Sequence, residues 1–248
     1  MQGAVRAFDM DQVQLGMLME QTLNIRYRFL FPDGREEVIE EKIDKLTMEA
    51  AADNPGTPPD WCRLDFHQCP NCPLQVETHP YCPLAAKLVK LTAAFQNARS
   101  FDEVEMEATT PERIVTKRTT AQRAVSSLMG LIMATSGCPH MEFLKPMARY
   151  HLPLATGEET IFRAVSTYLL AQYFRKKNDL SADFDLENLK KIYGEIRIVN
   201  VAMASRLRAV SEQDSAVNAV VLLDVFAKML PYSIEDSLKE IRYLFLVP

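Results

Sequence analysis

A cysteine-rich segment carries the residues whose types and spacing could do chemistry. Residues 67–74 read HQCPNCPL and hold a histidine and a CxxC pair within eight positions. Four of the five cysteines in the chain are followed directly by proline: Cys69, Cys72, Cys82 and Cys138. A CxxC pair with two further thiolates is a ligand set for zinc or an iron–sulfur cluster. The pattern therefore predicts one metal centre built from these four cysteines.

The Cys-Pro steps also indicate how two of the sulfurs are presented. Proline suits the first position of a helix, which makes the preceding residue the N-cap. Cys82 is predicted to cap a helix that begins near Leu84, and Cys138 a short helical turn over MEFLK. A helix N-terminus favours a thiolate. A centre that joins these two cysteines across 55 intervening residues would fasten the cysteine-rich segment to the core.

Several other interpretations of the cysteines stay open. The thiols could be small buried groups without a metal. CPNC could be a redox pair of the thioredoxin type, although that motif needs a long helix after it and a proline-rich stretch follows here. A Cys-Pro thiolate could also bind haem transiently. Among the metals, zinc is the commoner structural choice and is expected here, with an iron–sulfur cluster as the alternative.

Four more residues near the centre are candidate ligands. Each histidine among them lies close to a cysteine. His79, just before Pro80-Tyr81-Cys82, is the preferred replacement for one of the four cysteine ligands. The ordinary explanation is a histidine exposed in a polar loop. The candidates are Cys62, which lies outside the repeated Cys-Pro pattern, and His67, His79 and His140.

A histidine with two nearby carboxylates offers a second kind of chemistry. His151 precedes a predicted helix that begins with Glu158 and Glu159, a combination that would suit a metal-dependent enzyme or an acid–base pair. Acidic residues are also preferred in the first turn of any helix, and that interpretation is favoured. We find no glycine-rich phosphate loop, GxSxG, HExxH or dinucleotide motif, so an enzyme is not the favoured class.

Two further polar sets have a functional and an ordinary interpretation. A basic run beside Thr119-Thr120 suits either an anion site at a helix N-terminus or a solvated strand face; it comprises Arg113, Lys117, Arg118 and Arg123. Three polar residues within apolar helices either line a pocket or form an inter-helix hydrogen-bond network; they are Asn200, Arg206 and Asn218.

The elements that must position these residues are two hairpins and a series of helices. IRYRFLF alternates, with one side formed by Ile25, Tyr27, Phe29 and Phe31, and turns through Pro32-Asp33-Gly34 into EEVIEEKI. EVEMEA turns through TTPE into RIVTKR, and the two pairs are expected to form one antiparallel sheet. LGMLME in residues 15–20 is predicted to be a short helix.

The helical part is predicted from periodicity and caps. An apolar stripe precedes a buried helix over 121–134; the stripe comprises Leu84, Leu88, Leu91 and Phe95. Thr156 and Glu159 form a capping box. Asp185 is expected to cap a helix that ends near Val210. Ser211 with Asp214 is expected to cap the next helix, which ends near Pro231, and Ser233 with Asp236 to open a last short helix.

These elements predict an α+β fold in which helix dominates. We divide the chain into an N-terminal segment (1–21), a part with the β-hairpins (22–120) that contains the cysteine-rich segment (54–83), and an all-helical body (121–248). A proline-rich loop as long as 54–83 is uncommon in a compact domain unless it is functional or tied down.

Composition narrows the location and the partners. The chain has 248 residues and a formal charge of −5. This negative charge argues against electrostatic binding of nucleic acid or an anionic membrane over a broad surface. No apolar run is long enough for a membrane span, and MQGAVRAFDMDQ lacks the pattern of a signal peptide. We expect a cytoplasmic protein with reduced cysteines. The sequence identifies no particular protein or small-molecule partner.

The motifs CPNCPL, HPYCP, TTAQRAVSSLMGLIMATSGCP, PMARYHLP and GEET resemble a family of uncharacterised bacterial proteins, a domain of unknown function. The resemblance spans about residues 22–230. It implies a bacterial cytosolic protein and supports grouping the four Cys-Pro cysteines, and it implies no activity. The expected function is a non-enzymatic binding or regulatory module with a structural zinc site. The alternative is an iron–sulfur redox or sensor protein that uses the same cysteines, and the second alternative is a metal-dependent enzyme.

Overall fold

The computed structural model describes residues 21–51, 56–210 and 214–246. The short helix predicted for residues 15–20 and the cap predicted at Ser211 lie outside these ranges.

Two hairpins form one four-stranded antiparallel sheet, as predicted. The strands are β1 (Thr22–Leu30), β2 (Glu36–Asp44), β3 (Glu103–Thr109) and β4 (Ile114–Thr120). Their order across the sheet is β2-β1-β3-β4, so β2 and β4 are the edge strands. The sheet therefore joins segments on both sides of the cysteine-rich stretch.

Alternation and turn chemistry explain the first hairpin. One side of β1 and its following residue is buried, which confirms the predicted stripe: Ile25, Tyr27, Phe29 and Phe31. Gly34 adopts a φ of +86°, a backbone conformation that glycine enters without steric cost. The turn closes where Phe31 N–H donates to the Arg35 carbonyl over 2.9 Å.

Six α-helices stand within the described ranges. They are α1 (Pro83–Ala94), α2 (Ala121–Ala134), α3 (Lys145–Arg149), α4 (Gly157–Lys177), α5 (Glu187–Arg208) and α6 (Ser215–Ile241). Short 3-10 helices cover Asp60–Cys62, Pro139–Leu144 and Arg242–Leu244. α2 is buried on nearly all sides, and one continuous apolar cluster joins the sheet to the helices. The fold is α+β.

Most predicted helix starts are confirmed. The capping box opens α4, because Thr156 Oγ1 accepts from Glu159 N–H and Glu159 Oε2 accepts from Thr156 N–H, over 3.2 and 2.7 Å. At α5 the cap differs from the expected Asp185. Asp183 accepts the Asn188 N–H instead, over 2.8 Å, and the helix begins at Glu187.

The prediction that a helix ends near Pro231 and another begins at Ser233 is wrong. α6 runs without interruption from Ser215 to Ile241. An interior proline removes one backbone hydrogen bond and bends a helix rather than always ending it. α6 lies against α2 and α5, and we attribute its continuity to this packing.

None of the helices in the described ranges is long and apolar enough to cross a bilayer.

Candidate functional site

Cys82 and Cys138 begin helical segments in the same way. Cys82 is the N-cap of α1 and Cys138 is the N-cap of the 3-10 helix, each followed by proline at the first position. Their backbones are nearly identical, with φ of −70° for both and ψ of 118° and 125°. These two predicted caps are confirmed.

The CxxC loop is fastened to two other parts of the chain. Cys72 N–H donates to the Cys69 carbonyl over 2.9 Å, which closes a tight turn. Within this turn, Asn71 Nδ2 donates to Glu195 Oε2 of α5 over 2.6 Å. The His140 Nε2 atom lies 2.8 Å from the Asn71 carbonyl oxygen and donates to it, because a carbonyl can only accept. The loop is therefore held against both α5 and the turn after Cys138.

The start of the cysteine-rich segment is fastened by a buried arginine. Arg206 of α5 donates to three backbone carbonyls of this segment, those of Trp61 (2.9 Å), Arg63 (2.7 Å) and Leu64 (2.9 Å). The same part of the segment also contacts the N-cap of α1, since Cys82 N–H donates to the Cys62 carbonyl over 2.7 Å. The segment is thus bound to the helical body at both ends.

The four Cys-Pro thiols lie close enough to act on one another electrostatically. Burial, together with smaller contributions from the charges of the other three cysteines, raises the pKa of Cys69 to about 12. Burial, opposed by the N–H of His140 and assisted by the charges of Cys82 and Cys72, raises the pKa of Cys138 to about 11. Because Coulomb interaction weakens with distance, the four sulfurs share one neighbourhood.

Cys62 lies at the margin of this group. It is fully buried, and burial together with the charge of Cys82 raises its pKa to about 12. The charge of Arg206 lowers the pKa of both Cys62 and Cys69. Cys62 is therefore a neighbour of the cluster through Cys82.

The four thiols are not arranged as a finished set of ligands. Within the described ranges, no group of three or more His, Cys, Asp or Glu side chains is positioned to hold a metal ion. Four sulfurs around zinc at about 2.3 Å would lie about 3.8 Å from one another. The thiols share a neighbourhood without this arrangement, so the metal site remains a prediction.

The nearby histidines have other surroundings. His67 and His79 are exposed. His79 Nδ1 lies 2.9 Å from the Thr78 hydroxyl, and His140 uses its Nε2 on Asn71. His140 therefore supports the CxxC turn from beside the cysteines.

His151 and the first acids of α4 serve separate purposes. His151 Nε2 lies 2.5 Å from the hydroxyl oxygen of buried Tyr27. Glu158 is exposed, and Glu159 belongs to the capping box. The favoured interpretation of these acids as first-turn residues is confirmed, and their contacts give no support to an acid–base pair with His151.

The basic run spans the edge strand β4 and its two ends. Lys117 and Arg118 lie on β4, Arg113 precedes the strand and Arg123 lies in the first turn of α2. All four residues are exposed. Arg118 Nε pairs with Glu105 Oε2 of the neighbouring strand over 3.2 Å. Exposed charges also protect an edge strand from pairing with another chain.

The three polar residues in apolar helices divide between the two interpretations. Asn218 Nδ2 donates to Asp214 Oδ2 over 2.9 Å, and Arg206 clamps the cysteine-rich segment, so both belong to hydrogen-bond networks. Asn200 is 1% exposed and its Oδ1 atom has no hydrogen-bond partner among the described residues.

Sequence reasoning missed the pairing of Asn71 with Glu195 and the contact between Tyr27 and His151. Tyr27 was assigned only to the apolar face of β1, and Glu195 is an exposed acid on α5. Neither residue carries a local signal for its partner, because each pair is more than 100 residues apart in the chain.

Comparison with known proteins places the chain in a family. The sequence model of the family described as a domain of unknown function (DUF6901) matches residues 25–246. No curated protein and no solved structure matches the chain. The chain belongs to this family, which confirms the resemblance of its motifs to a domain of unknown function; a bacterial origin stays a prediction.

Proposed function

We propose that this family member is a cytoplasmic metal-binding protein in which Cys69, Cys72, Cys82 and Cys138 hold one structural zinc ion. The protein would act as a non-enzymatic binding or regulatory module. The observation that carries this proposal is the contact between the CxxC turn of Cys69 and Cys72 and the turn after Cys138, where His140 Nε2 donates to the Asn71 carbonyl over 2.8 Å. Cys82 and Cys138 cap helical segments, where the helix dipole favours the thiolate that a metal requires.

The buried charge of Arg206 supports a negatively charged centre nearby. Arg206 is 1% exposed and forms no ion pair with a carboxylate in the described ranges, although exposed Asp65 responds to its charge. An uncompensated buried charge is costly. Four thiolates around a divalent zinc ion carry a net charge of about −2. Such a centre would supply the counter-charge that Arg206 otherwise lacks.

The contacts around the cysteines favour a structural role for the metal. Four sulfur ligands fill the tetrahedral positions of zinc and leave none open for a substrate. The same cysteines lie where the segment from Trp61 to Cys82 meets α1, α5 and the turn after Cys138. A zinc ion there would fasten a stretch that has little regular structure of its own.

An iron–sulfur cluster is the alternative, because four thiolates suit it equally well. Elemental analysis and an absorption spectrum of protein purified without oxygen distinguish the two. We expect one zinc per chain and no visible absorption. A brown protein whose absorption bleaches in air would replace zinc by a cluster, and protein without zinc or iron would refute the metal centre.

A further inference from the structure

A cavity of about 440 Å³ lies between α2, α5, α6 and the segment that contains α3. Its wall is mainly apolar and includes Leu131, Met133, Met141, Met147 and Leu223. This volume lies within the range of small-molecule sites, which are typically apolar with a few polar groups that orient the ligand. Polar side chains on this wall, among them those of His151, Arg163 and Asn200, have unused hydrogen-bonding capacity.

His151 presents one N–H group to the cavity. Ser127 Oγ accepts the Leu154 N–H over 2.9 Å and lies 3.0 Å from the Tyr27 hydroxyl, the only acceptor for its own proton in the described part of the chain. We therefore assign the Ser127 hydroxyl as donor to Tyr27 and the Tyr27 hydroxyl as donor to His151 Nε2. A neutral His151 then carries its proton on Nδ1, which contacts no acceptor among the described residues.

Arg163 places a cation at the same end of the cavity. Its Nη2 donates to the carbonyls of Met147 (2.6 Å) and Tyr150 (3.0 Å). Its Nε and Nη1 groups have no acceptor in the described ranges, and no carboxylate there forms an ion pair with it. The charge of Arg163 also acts on His151 and Tyr193, which places these groups near one another. This end is suited to an anionic head group.

Asn200 supplies an acceptor farther along the cavity. Its Oδ1 atom is buried and unpartnered. It lies two turns beyond Tyr193 on α5, a spacing of about 10 Å along the helix. A buried acceptor without a donor costs free energy, and a ligand hydroxyl or N–H group would satisfy it.

We propose that this cavity binds a small, mainly apolar carboxylic acid with a hydroxyl or N–H group near its other end. The carboxylate contacts Arg163 and the Nδ1–H of His151, and the donor group contacts Asn200 Oδ1. This inference goes beyond the zinc centre and does not depend on it, because no cysteine lines the cavity.

Three probes of similar length test the chemistry by titration calorimetry on the full-length protein: ω-hydroxydecanoate, decanoate and decanol. We expect ω-hydroxydecanoate to bind about tenfold more tightly than decanoate, because it alone satisfies Asn200. Decanol should bind about tenfold more weakly than decanoate, because it lacks the charge for Arg163. Equal affinities for the three probes, or no binding of any, would overturn the proposal.

Two variants with matched controls locate the ligand. Asn200→Leu should lose the preference for ω-hydroxydecanoate over decanoate. A Cβ at Gly130 would meet Leu223 Cδ2 at 3.9 Å, an ordinary contact, so Gly130→Ala should change affinity little. Gly130→Leu should fill the cavity and reduce binding of both acids at least tenfold while circular dichroism shows a folded protein. A folded Gly130→Leu that binds normally, or an Asn200→Leu that keeps the preference, would contradict the assignment.

Discussion

Arg206 is the largest fully buried side chain among the described residues, and it donates hydrogen bonds to three backbone carbonyls of the cysteine-rich segment. Arg206→Met would leave these carbonyls without their donor. We expect the free energy of unfolding to fall by about 3–5 kcal/mol, measured by urea denaturation. Arg208 lies two residues further on the same helix and is exposed, so Arg208→Met should change it by less than about 0.5 kcal/mol. If both substitutions change the free energy of unfolding by the same small amount, Arg206 does not hold the cysteine-rich segment in place.

His151 makes stability depend on pH. Burial, and to a smaller extent the charge of Arg163, lowers the pKa of His151 from 6.5 to about 3; its hydrogen-bond partner, the Tyr27 hydroxyl, is neutral. Between these pKa values the unfolded chain binds a proton that the folded protein does not bind. The free energy of unfolding therefore falls as the pH falls through this window, by about 2 kcal/mol at pH 5 for this group.

A His151→Gln variant isolates this effect because glutamine does not titrate and still offers an acceptor to Tyr27. We expect the difference in unfolding free energy between wild type and variant to shift by about 2 kcal/mol in favour of the variant between pH 7 and pH 5. Denaturation curves at both pH values measure it. A difference that is independent of pH would mean that folded His151 titrates normally.

The ligand set can be tested cysteine by cysteine. Cys138→Ser removes one proposed ligand and should lower zinc affinity at least about a hundredfold, since even the partners that only orient a ligand contribute ten- to a hundredfold. Cys62→Ser is the matched control, because Cys62 is buried beside Cys82 yet lies outside the proposed set. Competition with a zinc-binding dye measures both. If Cys62→Ser loses as much affinity as Cys138→Ser, the ligand set is wrong.

At the scale of elements, the cysteine-rich segment depends most on contacts with its neighbours. Between Gly56 and Cys82 it contains only the 3-10 helix Asp60–Cys62 and an isolated bridge between Arg63 and Tyr81. Side-chain hydrogen bonds that involve Arg206, Glu195 and His140 fasten it to the helical body, three of them from Arg206. Such a stretch opens locally at low free energy when a fastening is removed.

Chelation of the proposed zinc should therefore loosen this segment selectively. We expect amide hydrogen exchange to accelerate at Cys72 and Cys82, whose N–H groups bond the carbonyls of Cys69 and Cys62. Amides of β1, which is paired with strands on both sides, should keep their protection. Mass spectrometry of exchange with and without a chelator measures the difference. Equal exchange in both samples would show that no metal fastens the segment.

Local signals account for the elements that the sequence predicted well. The alternation of β1, the Pro32-Asp33-Gly34 turn and the Thr156–Glu159 capping box are each complete within about ten residues. Pro231 shows where local reasoning fails, since its effect on α6 depends on packing against α2 and α5. Likewise, Asp183 rather than Asp185 accepts the Asn188 N–H in the first turn of α5, because this choice depends on how the preceding turn is held.

For the whole molecule, the Cys-Pro repetition singled out four cysteines without any knowledge of the fold, and their grouping around one metal stays a prediction. The contacts of Arg206 and Glu195 with the cysteine-rich segment could not be predicted, because they join parts of the chain more than 120 residues apart. The cavity beside Asn200 also arises only when α2, α5 and α6 pack together.

The coordination of the metal can be observed directly. X-ray absorption at the zinc edge, on full-length protein loaded with one equivalent of zinc, reports the identity and distance of the ligands. We predict four sulfur atoms at about 2.3 Å. A first shell with nitrogen or oxygen at about 2.0–2.1 Å in place of one or more sulfurs would contradict a centre made by Cys69, Cys72, Cys82 and Cys138.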